Sequence, residues 1–484
     1  MDSIKNKTIS GLTWSFADNI LNQSIHFITG IILARLLTPK DYGLVGMITI
    51  FIAISQSFID GGFSQALIRK KDCKGEDYST VFLFNLGVGI VFYLILFFSA
   101  GMISDYFKES RLYLLIKVMG LNLIINAFGL VGRTELTKKI NFKLQTKISI
   151  IASVLSGIIG IIMAFHGFGV WSLVAKTISQ NIITSILLCL WNKLNIRFLF
   201  SITCFKEMFG FGSKLLASGI IDDIYQNIYY LIIGKYFSAI DLGYYTRAEQ
   251  FSLLSSKNIG QVVQKVSYPV LSTIQDQSEK LKKGYKKLIK NTMFITFTLS
   301  IGLCAIAEPL IIVLIGEKWR PAIPYLQLLC FVNMLYPLHA LNLNILKVKG
   351  RSDLFLILEI IKKTLAIPTI IIGIIFGIKI MIIGMIMNSF MAYFLNSYWS
   401  GKMLNYPMKE QVMDILPSFI IASLMGIVLY ILSIILPINN LSLLIVQLLS
   451  GALITIFLSV IFKIKEYNEI REIIITNIMK LKTI

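Results

Sequence analysis

The chain has 484 residues, 56% of them hydrophobic and only 15% charged, with a mean hydropathy of +0.75. That balance excludes a soluble globular protein and fits a polytopic membrane protein, in which each span takes about 20 mostly apolar residues. The net charge of +20 does not indicate a nucleic-acid partner, because Lys and Arg gather in every second loop, the positive-inside pattern.

Apolar blocks between charged turns predict fourteen spans, at about 9–37, 42–66, 78–104, 113–132, 146–167, 170–191, 209–237, 244–270, 288–315, 323–346, 353–377, 380–400, 413–436 and 440–462. Tight turns before Val170 and Ile380 set twelve as the lower bound. The basic loops hold Arg69, Lys70, Lys71 and Lys74, then Arg133, Lys138, Lys139, Lys143 and Lys147. They continue with Lys193, Arg197 and Lys206, with Lys280 to Lys290, with Lys347, Lys349 and Arg351, and with Lys402 and Lys409. Both termini are therefore expected in the cytoplasm, with an even number of spans. The five cysteines have no metal-clip or disulfide spacing, and no residues are assigned to a metal.

The first span is no cleavable signal, because Asp18, Asn19, Asn22 and Gln23 interrupt it. Ser15, Asp18, Asn22 and His26 recur at three- and four-residue steps, so they share one helical face. A central Asp costs about 2.5 to 3.5 kcal/mol at lipid depth, so that face must look into protein or water. The span then runs into "LARLLTPKDYG" (Leu33 to Gly43), which returns ungapped as "IGKYFSAIDLG" (Ile233 to Gly243). Arg35 matches Lys235, Thr38 matches Ser238, Asp41 matches Asp241 and Gly43 matches Gly243. Six spans precede the second copy, which makes the repeat parallel, about an axis along the membrane normal. The expected halves are 1–200 and 201–405, each a six-helix bundle. Residues 406–484 add two spans and a cytoplasmic amphipathic tail.

Span 6 carries Lys176 and Gln180, four apart. Span 7 repeats the polar face of span 1 with Asp222, Asp223, Gln226, Asn227 and Tyr230. Span 8 reads as one continuous stripe: Arg247, Gln250, Leu254, Lys257, Gln261, Gln264 and Tyr268, with Lys265 alongside. The basic stretch Lys280 to Lys290 is expected to form a separate short interfacial helix. Span 11 holds Glu359, Lys362 and Lys363, and the four-residue spacing predicts a Glu359–Lys363 pair.

These faces are expected to line a water-filled cavity between the bundles. Its cations suit an anionic cargo, and its amides and hydroxyls suit a polar one. A phosphate or pyrophosphate carried on a sugar meets both requirements. The substrate-binding candidates are Asn22, His26, Gln226, Arg247, Lys257, Gln261, Gln264, Lys265, Lys362 and Lys363. Asp18, Asp222 and Asp223 are candidates for a coupling ion, H+ or Na+, or for sugar hydroxyls. No phosphate-binding G-x-x-x-x-G-K-[ST] loop, H-E-x-x-H motif or large polar loop is present. The chain reads as a transporter with no catalytic residues and no cofactor beyond a coupling cation.

The motifs "ILARLLTPKDYGLVGM", "GGFSQALIRKKD", "RTELTKKINFK", "GVWSLVAKTISQ", "LGYYTRAEQ", "VSYPVLSTIQDQ", "GEKWRPAIPYLQLL" and "KVKGRSDLFLILEIIKK" stand in this order between about residues 5 and 400. In order and spacing the chain resembles the Wzx-type polysaccharide transporters. These are lipid-linked oligosaccharide flippases, in the superfamily of the lipid II flippase and the multidrug and toxin extruders. Within them it is most similar to the colanic-acid exporter type. The resemblance implies an all-α fold of about 14 transmembrane helices, two six-helix bundles in a V plus two C-terminal helices. It implies an oligosaccharide on undecaprenyl pyrophosphate as cargo, moved to the periplasmic leaflet of the bacterial inner membrane by alternating access. Lys257, Lys265, Lys362, Lys363 and Arg247 match the family's pyrophosphate-holding role. Other expected partners are the bilayer and the polysaccharide polymerase and export machinery, around a monomer. The rival reading is a cation-coupled multidrug exporter using Asp222 and Asp223, against which the cationic stripe argues. A glycan polymerase or ligase would need a larger outer loop.

Overall fold

The computed structural model describes the backbone of residues 2–192 and 199–482; side chains at 2–13, 16, 265, 266, 268, 269, 352, 473, 474 and 477–482 are not among those described. Lys193, Arg197 and the side chain of Lys265 thus lie outside the described residues. All regular structure among the described residues is helical.

Two compact units, 1–243 and 244–484, divide the chain. The first holds α1 (Asp2–Leu36), α2 (Pro39–Asp60), α3 (Phe63–Arg69), α4 (Gly75–Phe107), α5 (Leu112–Lys138), α6 (Phe142–Phe165), α7 (Val170–Asn192), α8 (Ile202–Tyr236) and the first turn of α9 (Ala239–Leu254). The second holds the rest of α9, α10 (Lys257–Thr273), α11 (Ser278–Ala305), α12 (Ala307–Ile315), a 3-10 turn (Glu317–Ala322), α13 (Ile323–Asn333), α14 (Tyr336–Val348), α15 (Ser352–Phe376), α16 (Ile378–Leu404), α17 (Met408–Ile435), α18 (Asn440–Ile461) and α19 (Lys465–Lys482).

Ten helical stretches among the described residues are long and apolar enough to cross a membrane. α1, α8 and α15 are not among these ten, and α9 and α10 are short. These are the elements that carry the predicted polar faces of spans 1, 7, 8 and 11. Counting them as traverses, with α9 and α10 as one, restores the expected fourteen.

In the first unit α1 lies on α6, α6 on α7, α7 on α5 and α5 on α4, while α2 touches α4, α5, α7 and α8. α8 packs on α2, α3 and α4. The halves 1–200 and 201–405 express sequence repetition, whereas the units express packing, and the repeat-based halves remain a proposal. In the second unit α11 lies on α17, α10 on α14, and α16 on α13, α14 and α15.

The repeat is visible as two matching caps. Thr38 Oγ1 donates to Asp41 Oδ2 at 2.6 Å and accepts the Asp41 amide at 3.4 Å. Ser238 Oγ donates to Asp241 Oδ2 at 2.6 Å and accepts the Asp241 amide at 3.0 Å. Each cap satisfies an amide that the first helical turn leaves without a partner. Thr38→Ala or Ser238→Ala should each cost about 1 kcal/mol, read as a small drop in the thermal midpoint of the purified protein.

Two sequence expectations change. The stripe of span 8 is broken: α9 ends at Leu254 and α10 starts at Lys257. The buried Ser255 turns its hydroxyl to the Ser252 carbonyl at 2.8 Å and to Ser300 Oγ at 3.0 Å. That local bonding competes with a continuous helix. The basic stretch Lys280 to Lys290 is not a separate helix but the start of α11, which continues unbroken to Ala305. Leu281, Tyr285 and Ile289 on it are fully buried, and this packing carries the helix through the charged turns.

Candidate functional site

The first unit contains a connected polar chain inside otherwise apolar packing. Asn22 Nδ2 donates to Asp18 Oδ1 at 2.8 Å and to Ser149 Oγ at 2.9 Å. Ser149 also donates to Asp18 Oδ1. Ser153 Oγ donates to Asn22 Oδ1 at 2.8 Å, and Gln180 Nε2 donates to Ser153 Oγ at 3.3 Å. Gln180 Nε2 lies 3.5 Å from His26 Nε2. Three helices build this chain. α1 presents Asp18, Asn22 and His26 on one face, α6 presents Ser149 and Ser153 one turn apart, and α7 supplies Gln180. Two cations lie within electrostatic reach of it: Arg133 of α5, an exposed side chain that feels the Asp18 charge, and Lys176 of α7, which acts on His26.

The structure thus joins the predicted Asp18, Asn22 and His26, together with Gln180. The sequence did not single out Ser149, Ser153 or Arg133. The two serines stand four apart in α6 (Phe142–Phe165), a spacing that puts them on one face. Arg133 reads as a loop residue by charge, yet α5 continues to Lys138.

Elsewhere in this unit Asp223 accepts a hydrogen bond from Ser57 of α2, and Asn227 Nδ2 donates to the Asp223 carbonyl at 2.8 Å. Asp222 and Gln226 are exposed. Polar residues of α8 therefore face two directions rather than forming one stripe. A second amide set links Asn181 to Asn122 at 3.0 Å and Asn126 to Gln56 at 3.3 Å.

In the second unit Arg247 of α9 and Lys257 at the start of α10 are half-buried, and Gln261 and Gln264 are exposed. Around α14 a separate cluster forms. His339 lies 3.3 Å from Ser389 Oγ and 3.4 Å from the Asn396 amide nitrogen, and Lys362 acts on it electrostatically. Glu359 pairs with Lys362, three residues on, a partner that the four-residue spacing did not suggest. Both spacings are open to a helix, and Lys362 has only 13% of its side chain exposed. α14 packs against both α10 and α15, so it stands between the two predicted sets of lysines.

Each unit therefore holds a histidine, an acid and at least one cation within hydrogen-bonded helix packing. Isolated charges would be too costly in such surroundings, and the hydrogen bonds offset their desolvation. Among the described residues no group of three or more His, Cys, Asp or Glu could hold a metal ion.

The chain is similar to the lipid II flippase MurJ in an inward closed conformation, with a TM-score of 0.76 and 17% identity over 94% of this chain and 98% of that one. It is similar also to an inward-facing multidrug resistance MATE transporter, with a TM-score of 0.63 and 16% identity over 79% of this chain and 94% of that one. At these identities the likeness establishes the fold, that of an all-α polytopic membrane protein. By sequence it is 27% identical to the lipopolysaccharide biosynthesis protein WzxC of Escherichia coli (strain K12), over 77% of this chain and 76% of that protein. It is 26% identical to the teichuronic acid biosynthesis protein TuaB of Bacillus subtilis (strain 168), over 73% and 74%. It is 25% identical to the succinoglycan biosynthesis transport protein ExoT of Rhizobium meliloti (strain 1021), over 68% and 66%. Residues 32–324, more than half of the chain, match the family described as "Polysaccharide biosynthesis protein", and the chain belongs to that family.

Proposed function

We propose that this membrane transport protein of polysaccharide biosynthesis is a flippase for undecaprenyl-pyrophosphate-linked oligosaccharide. It moves the repeat unit from the cytoplasmic to the periplasmic leaflet of the bacterial inner membrane by alternating access, with both termini in the cytoplasm. The observation that carries this reading is the sign of the charge among polar groups in the helix packing. Arg133 and Lys176 flank a chain with a single acid, Asp18. In the second unit Lys362 pairs with Glu359, and Lys257 and Lys363 are half-buried. A cationic, amide-rich interior lowers the penalty of taking a diphosphate through low dielectric. Several separated cations also bind more weakly than one converging clamp, which suits a carrier that must release. Arg247, Gln261, Gln264 and Lys265 belong to the same proposed set, as do Asn22, His26 and Gln226 for sugar hydroxyls. Asp18, Asp222 and Asp223 are the proposed sites of a coupling cation, H+ or Na+.

The test is complementation of a strain lacking its own flippase. Arg133→Ala combined with Lys257→Ala should lower surface glycan at least tenfold, with lipid-linked precursor accumulating and the protein present in the membrane at its usual amount. Arg133→Lys should retain most export, since it keeps the charge. Undiminished export by the double variant, or drug resistance conferred by the unmodified chain, would favour the multidrug exporter instead.

A further inference from the structure

The second unit ends in a charged contact that the transport reading does not use. Lys282, Lys286, Lys287 and Lys290 lie along the first turns of α11 at helical spacing. On one side α17 meets them: Lys286 Nζ is 2.8 Å from Asp414 and 3.2 Å from Glu410, and Lys282 Nζ is 3.4 Å from Glu410. On the other side α19 meets them: Lys290 Nζ is 2.7 Å from Glu466, and Lys287 Nζ is 3.0 Å from Glu469. Asn291 Nδ2 adds a bond to Glu469 at 2.9 Å. That amide and then Lys287 hold the Glu469 carboxyl below its ordinary range. Ile464, just ahead of α19, packs with Phe294 and Ile421, and Tyr467 and Ile470 lie against them.

The two α19 pairs differ. Glu466 is buried, with 7% of its side chain exposed, and it sits in the first turn of its helix, where the dipole favours an acid. Lys287 and Glu469 are 61% and 36% exposed, so their pair is screened and weak.

We propose that α19 is a displaceable clamp, whose Glu466 and Glu469 cover a lysine face of α11 that anionic phospholipid headgroups of the adjoining leaflet compete for. Its location rests on the topology proposed above. α19 begins a few residues after α18 leaves the apolar layer at Ile461, and Ile461 and Phe462 are more than half exposed. The lysines immediately precede the apolar part of α11, at headgroup level. Exposed Lys280 and Lys283 extend the same end. A row of this kind fits a planar array of headgroups. An exposed ion pair and a lysine at an anionic bilayer surface are of similar strength, so lipid composition sets the balance. The Lys287–Glu469 pair opens first, and Lys290–Glu466 with Ile464 acts as the hinge.

Zero-length carbodiimide coupling of the full chain in vesicles tests this directly, because it joins contacting amines and carboxylates. The Lys287–Glu469 cross-link, measured against Lys286–Asp414, should fall at least fivefold between phosphatidylcholine vesicles and vesicles half phosphatidylglycerol. Glu469→Gln, which releases the outer pair, should leave the Lys290–Glu466 cross-link in place in both lipids. An unchanged ratio in the two lipids, or an equal loss of both cross-links, overturns the proposal. So does a fall in phosphatidylcholine vesicles on adding inorganic pyrophosphate, which would assign the lysine face to a diphosphate. Export could be normal throughout and leave this result intact, so the clamp and the flippase reading fail separately.

Discussion

Gly43→Ala should destabilise the protein by several kcal/mol, although it adds one methyl group. A Cβ built at Gly43 falls 1.6 Å from the Ala239 carbonyl oxygen, and one at Gly243 falls 1.9 Å from the Pro39 carbonyl oxygen. Both obstacles are backbone atoms, so no side-chain rotation relieves them. The starts of α2 and α9 would have to separate by more than 1 Å to restore ordinary contact. Overpacking a well-filled site costs about 1 to 3 kcal/mol, and displacement of a helix start places this case at or above the upper end. Gly243→Ala should behave alike, because the two positions are equivalents in the repeat. Gly87 in α4 is the control, since nothing lies within 4 Å of its added Cβ. There Ala should raise stability by up to about 1 kcal/mol through helix propensity alone. Thermal unfolding of the three variants in detergent separates the cases. Equal midpoints for Gly43→Ala and Gly87→Ala would mean that the close crossing is not part of the folded protein.

That crossing illustrates what a sequence displays and what it conceals. The repeat of Thr38, Asp41 and Gly43 as Ser238, Asp241 and Gly243 is legible because capping is local: donor and acceptor lie three residues apart. The polar face of α1 is legible for the same reason, since helical geometry alone places Asp18, Asn22 and His26 together. Their partners are not. Ser149 and Ser153 look like residues any membrane helix tolerates, and only the packing of α6 on α1 makes them ligands of Asp18 and Asn22. Arg133 is masked by its charge, which marks a loop in sequence, while the helix that carries it extends past the apolar run. The break of span 8 is accompanied by a Ser255 hydroxyl bonded both to the local Ser252 carbonyl and to Ser300, 45 residues away, and a stripe read along the chain cannot register the second. The Glu359–Lys362 pair was not singled out because two spacings satisfy a helix equally.

Asp18→Asn and Asp18→Ala should part company, and the difference measures what the carboxylate does. Asp18 accepts from Asn22 at 2.8 Å and from Ser149, while Arg133 supplies the nearby positive charge. Alanine removes the carboxylate and its two hydrogen bonds, while Asn22 keeps the Asp18 carbonyl and Ser149 Oγ as acceptors and Ser149 keeps the Thr146 carbonyl. Two lost bonds at about 0.5 to 1.5 kcal/mol each mean that Asp18→Ala should unfold at a lower temperature. Asparagine keeps one acceptor oxygen at nearly the same place and removes only the charge. Its stability should lie within about 1 kcal/mol of the parent. If Asp18 holds a coupling cation, Asp18→Asn should still lower export at least tenfold and abolish its dependence on the cation gradient. A double variant with Arg133→Gln should not recover export, because the charge balance returns while the cation ligand does not. Parental export by Asp18→Asn would reduce the whole Asp18–Asn22–Ser149–Ser153 chain to a device for packing α1 on α6. The coupling ion would then have to be sought at Asp222 and Asp223 on α8, where Ser57 already engages one of the two carboxylates.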